Sequence, residues 1–132
     1  MPRREKQGRV ADRRRRSPRD RGQVAIEYLG FLPILLIVGM AVVQLGIIAY
    51  AGQQAGTAAR AGARSASRDP GGGYGQDCRN AVSGWLADGT SCVAGFTGND
   101  VRVTSSVDIP SVFFGWGDFG PAQRTATMPV DQ

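Results

Sequence analysis

The chain contains no histidine and only two cysteines in 132 residues. A zinc site would need imidazole or a second cysteine pair to complete four ligands, so no metal-binding set is expected. Without histidine the commonest general base is also missing. No Gly-x-Ser-x-Gly nucleophile turn occurs, and Gly71-Gly72-Gly73 is followed by no lysine that would make it a phosphate-binding loop. Asp88, Asp100, Asp108 and Asp118 are spaced like turn and strand-exterior residues, not like a catalytic pair. Neither enzymatic activity nor a cofactor is expected.

Charge is absent from Leu29 to Ala51, 23 residues in which Gln44 is the only strongly polar side chain. As a helix this run reaches roughly 34 Å, enough for a hydrocarbon core of about 30 Å with little tilt. A soluble domain could bury such a helix, but a chain this short has too little other apolar sequence to surround it. Pro33 would break a soluble helix; in a membrane helix it is better tolerated and marks a kink.

The basic charge is equally uneven. Residues 1–21 carry ten basic against three acidic side chains, a balance of +7, while the remainder carries six arginines against eight acids, or −2. An arginine run has nonspecific phosphate affinity, but it also marks the cytoplasmic flank of a membrane helix. Arg13 to Arg21 precede the apolar run and the far side begins only with Arg60. The flank reading places the N-terminus inside and the C-terminus outside, with no nucleic-acid partner. Lacking apolar periodicity, residues 1–21 are expected to be disordered.

Cys78 and Cys92 both fall on the outer side, where disulfides persist. A bridge between them would stabilise a small domain by about 3 kcal/mol through chain entropy. Unpaired buried thiols are the alternative. Beyond Ala51 the helix should continue to Arg68, with a face of Ala55, Ala58, Ala59, Gly62, Ala63 and Ala66. That face suits close approach by another helix, or equally support for the chain's own domain. Asp69-Pro70-Gly71-Gly72-Gly73 ends it and opens a linker over 69–76. Asp77 can cap a second helix whose stripe of Cys78, Ala81, Val82, Trp85 and Leu86 would face the core. After a turn at Gly98-Asn99, Val101, Val103, Val107 and Ile109 alternate with polar residues as a half-buried strand. Ala126, Met128 and Val130 repeat the pattern, Pro129 suggests an edge, and the two strands can pair antiparallel. Between them Phe113, Phe114, Trp116 and Phe119 form either an exposed partner-binding tip or a cover for the small core.

The stretch Gly22-Gln23-Val24-Ala25-Ile26-Glu27-Tyr28 joins the basic tail to the apolar run. A carboxylate costs about 2.5–3.5 kcal/mol at the centre of a membrane helix and less near its ends, so Glu27 calls for a partner. A cut after Gly22 would make Glu27 the fifth residue of the product. The new α-amine, protonated at neutral pH, would lie roughly one helical turn away. In parallel helices it could equally pair with Glu27 of a neighbour.

On these residues the chain resembles the type IV prepilins, specifically the TadE-like minor pilins or pseudopilins of tight-adherence (Flp) systems. The matching features are the leader ending in Arg21-Gly22, Glu27, Leu32-Pro33 within the apolar run, and Ala58-Ala59-Arg60-Ala61-Gly62-Ala63-Arg64. Together they span about residues 13–68. The resemblance implies cleavage between Gly22 and Gln23 by a membrane prepilin peptidase, with Glu27 and Tyr28 as assembly residues. It implies other pilin subunits and an inner-membrane assembly platform as partners, besides the lipid bilayer. Major Flp pilins have a very short tail after the helix; the roughly 80 residues here favour a minor subunit.

The expected architecture is α+β: a basic cytoplasmic leader 1–22, a long pilin-like helix 23–68 that crosses the membrane at about 29–51, a glycine-rich linker 69–76, and an extracytoplasmic head 77–132. The head would hold one short helix and an antiparallel β-hairpin. Two rival readings stay open. Ala49-Tyr50-Ala51 has the form of a signal-peptidase site before Gly52, which would make a secreted protein, although the apolar run is longer than the usual 7–15 residues. A plain single-pass anchored ectodomain explains the helix and leaves Glu27 without a purpose.

Overall fold

The computed structural model describes residues 18–130 apart from Phe114 and Trp116, with side chains from Gly22 onward. The basic leader up to Ser17, and two rings of the aromatic segment, lie outside the described residues. The elements are helix α1 (Pro18–Arg68), short helices α2 (Tyr74–Asn80) and α3 (Gly84–Ala87), and strands β1 (Thr90–Thr97), β2 (Asp100–Asp108) and β3 (Pro121–Pro129). The class is α+β, a long apolar helix followed by a small domain with a three-stranded antiparallel sheet. The chain divides into two compact units, Met1–Ile37 and Val38–Gln132.

In the first unit the described residues are helical throughout, and Val24, Ile26, Leu29, Phe31 and Ile34 to Ile37 are exposed. Apolar side chains with no protein around them need another apolar environment. The helix is long and apolar enough to cross a membrane, which suggests membrane anchoring. Pro33 lies inside it.

In the second unit α1 changes character. Gln44, Ala51, Ala55, Ala58, Ala59, Ala63 and Ala66 are buried, and their spacings, chiefly three, four and seven residues, keep them on one face. That face rests on the chain's own domain: Ala51, Ala55 and Ala58 cluster with Cys78, Val82, Leu86 and Val107, and Ala63 and Ala66 with Val101 and Val103. The small-residue face is therefore taken by the head. Gly62 marks the tightest approach, since a Cβ there would stand 3.0 Å from Cγ1 of Val103 and 3.5 Å from Cβ of Cys78. Gly62→Leu is expected to cost about 1–3 kcal/mol through overpacking. Gly62→Ala should change stability less, because helix propensity offsets the contact by up to about 1 kcal/mol. Thermal unfolding of the detergent-solubilised chain would measure both.

The sheet has the order β1-β2-β3. In β2, Val101, Val103, Ser105 and Val107 are buried while Arg102 and Asp108 face water, the alternation of a half-buried strand. Its partners across the register include Cys92 and Ala94 in β1, and Ala122, Ala126 and Met128 in β3. Gly98 takes φ of 60° in the two-residue turn between β1 and β2, the left-handed start that such a hairpin needs. β3 is an edge strand with Pro121 and Pro129 at its ends.

The sheet includes a strand, β1, beyond the expected hairpin, and the expected second helix is two pieces. α2 stops at Asn80 and α3 starts at Gly84, so the helical count resets between them. Cys78, Val82 and Leu86 reach the core as the stripe requires, but Trp85 is exposed. Asp77 does not cap α2, whose N-cap is Gly73. It lies in the first turn, where an acid suits the helix dipole, and its carboxylate accepts a hydrogen bond from the Ser65 hydroxyl of α1.

Candidate assembly site and the seam between helix and head

Gly22, Gln23, Glu27 and Tyr28 all lie on α1 and are exposed. Gln23 and Glu27 are four residues apart, so they share a helix face about one turn apart. Glu27, Tyr28 and Phe31 line a shallow depression on the helix surface. Among the described residues none forms a hydrogen bond to the side chain of Glu27 or Tyr28. A Cβ added at Gly22 would meet nothing within 4 Å.

Cys78 and Cys92 are joined as a disulfide. The link ties α2 to β1 directly under α1, where Cys78 is fully buried. The unit's core is thin: the largest fully buried side chains are Val101, Val103, Val107, Cys78 and Ser105. A covalent tie offsets that shortage.

Polar contacts clasp the head to α1. The side-chain amide of Gln44 donates through Nε2 to the Pro110 carbonyl (3.2 Å) and accepts through Oε1 from the Val112 N–H (2.9 Å). The Gln54 Oε1 accepts from the Ser83 N–H at 3.3 Å. The Tyr50 hydroxyl pairs with the Ser83 hydroxyl, while its ring stacks on Trp85 with centroids 5.9 Å apart and planes 8° from parallel. Beneath the sheet, Ser105 donates to the Ala55 carbonyl.

Gln44 and the Tyr50–Trp85 pair did not figure among the expected site residues. For Gln44 a signal existed: a lone amide in an apolar run must find hydrogen-bond partners or lose several kcal/mol, roughly 2–7. Its partners lie 66 and 68 residues away in sequence, beyond the reach of periodicity.

A long apolar helix with an exposed carboxylate near its start continues into an alanine-faced stem that carries a small head. Residues 22–64 match the family model described as TadE-like protein. Over that segment, about a third of the chain, the protein is similar to the TadE-like proteins. The match lies within α1 and stops before the head. No curated protein and no solved structure matches the chain.

Proposed function

We propose that the protein is a minor pilin or pseudopilin subunit of a tight-adherence pilus or a related secretion apparatus. α1 holds it in the cytoplasmic membrane with the basic leader inside and the head outside. A prepilin peptidase cuts between Gly22 and Gln23, and the mature subunit joins a fibre with other pilins at an inner-membrane assembly platform. The observation that carries this reading is the family match over 22–64, on a helix whose first unit exposes an apolar surface and Glu27.

Glu27 then serves as the assembly contact beside Tyr28. In lipid its charge needs a counter-charge, and the amine created at Gln23 supplies one either within the subunit or from a neighbour. Pro33 is tolerated because helix neighbours in the membrane can satisfy the carbonyl it leaves free.

The folded unit speaks against the secretion reading. Ala51 is fully buried in the core, and Gln44 and Tyr50 hold the head. A product beginning at Gly52 would lose all three contacts.

Glu27→Ala should leave processing and head stability unchanged while reducing recovery in sheared, purified fibres at least about tenfold, equivalent to ~1.4 kcal/mol at each contact. The measurement is the ratio of fibre-bound to membrane-bound subunit by quantitative immunoblot. Equal recovery of variant and wild type would sink the assembly role of Glu27.

A further inference from the structure

The clasp at Gln44 has a bearing on where the head sits. Pro110 and Val112 are fixed to α1 at the level of a residue inside the charge-free run, seven residues before Ala51 and so about 10 Å nearer the membrane. Around that level Val42, Val43 and Leu45 are exposed, Leu45 at 66%. The segment held there, from Ile109 to Phe113, contains no charged side chain. Next to it Trp85 is 59% exposed, and a cavity lined by Trp85, Leu86, Gly89, Asp108, Ile109 and Pro110 joins the two. The Tyr50–Trp85 stack presents an apolar face with a polar tip satisfied by Ser83.

Tyrosine and tryptophan in this arrangement suit the boundary between headgroups and acyl chains. We infer that Trp85 and the segment 109–113 form a lipid-facing foot, through which the head rests on the outer boundary of the bilayer that holds α1. The inference depends on the membrane reading of α1 given above. It commits the uncharged patch to lipid because that patch is continuous with helix surface that lipid must cover. It also places the outer boundary of the bilayer along α1 between the level of Gln44, where the segment is held, and that of Tyr50, on which Trp85 stacks. Asp108 stays on the water side of the foot.

The test uses the full chain reconstituted in phosphatidylcholine–phosphatidylglycerol vesicles. Trp85 and Trp116 are the two tryptophans, so Trp116→Phe leaves Trp85 as the only indole. Lipids brominated near the headgroup end of the acyl chain should quench Trp85 at least about twofold more than lipids brominated near the chain terminus, as expected for a ring 5–10 Å into the boundary. Aqueous iodide should quench it weakly. Phe113→Trp in a Trp85→Phe, Trp116→Phe background should report the same ordering for the segment.

Flotation of the vesicles after alkaline washing separates the two ideas. A chain that floats while Trp85 is quenched freely by iodide and untouched by bromolipid overturns the foot and leaves the anchor standing. Protection from iodide without bromolipid quenching assigns the patch to another copy of the chain, and also overturns it. A chain that washes off overturns both.

Discussion

Replacing Cys78 and Cys92 together by serine is expected to lower the melting temperature of the Val38–Gln132 unit by on the order of 15 °C. The bridge closes a segment of sequence separation 14, for which loop entropy gives about 3 kcal/mol. For domains of 60–100 residues each kcal/mol moves the midpoint by about 4–8 °C. Little else can compensate, since valines and alanines make up most of the core. The bridge also lies where three elements meet, because Cys78 of α2 sits against Gly62 of α1 and is bonded to Cys92 of β1. Circular dichroism melts of the detergent-solubilised chain, with and without reductant, would read the effect. An unchanged midpoint in both the double variant and the reduced wild type would remove the disulfide from the account of stability.

The second large effect concerns processing. Gly22→Leu is expected to abolish cleavage of the leader, giving an intact mass of the uncut chain where wild type gives a chain starting at Gln23. The structure makes this a clean experiment. A Cβ at residue 22 would meet no described atom within 4 Å, and leucine favours a helix over glycine by about 0.8–1 kcal/mol. Loss of cleavage would therefore report the peptidase's need for a small residue and not a damaged fold. Intact mass of wild type from membranes also ranks the readings: a start at Gly52 supports secretion, and an uncut leader supports a plain anchor. Normal cleavage of Gly22→Leu would displace the proposed site.

Local rules carried the reading of the sequence far where one property repeated over many residues. The charge-free run, the exposed Glu27 before it, and the alternation Val101, Val103, Val107 were visible because each depends on near neighbours in sequence. β1 was not, since Thr90-Ser-Cys-Val-Ala-Gly-Phe-Thr97 has small side chains and a glycine in place of a strong apolar alternation. It is a strand because β2 gives it a ladder. Trp85 was assigned to the core by counting along a single helix, and a break between Asn80 and Gly84 reset the count. The alanine face fitted two partners equally well from sequence, a second helix or the chain's own sheet. Only the placement of Val101, Val103 and Val107 against it distinguishes them. Of the candidate site, Gly22, Gln23, Glu27 and Tyr28 stand out in sequence as a motif whose role is a proposal, whereas the Gln44 clasp required contacts across half the chain.

The covering of Ala51 to Ala66 by the sheet alters what counts as a separable piece of this protein. A gene fragment beginning at Asp69 or Asp77 would encode the sheet without the surface on which it folds, and would expose Val101, Val103 and Val107. Proteolytic nicking at Gly71-Gly72-Gly73 would not shed the head, because the two products remain interlocked through the alanine face and the bonds of Gln44 and Gln54. Stem and head therefore form a single body within the Val38–Gln132 unit, and neither keeps its core without the other.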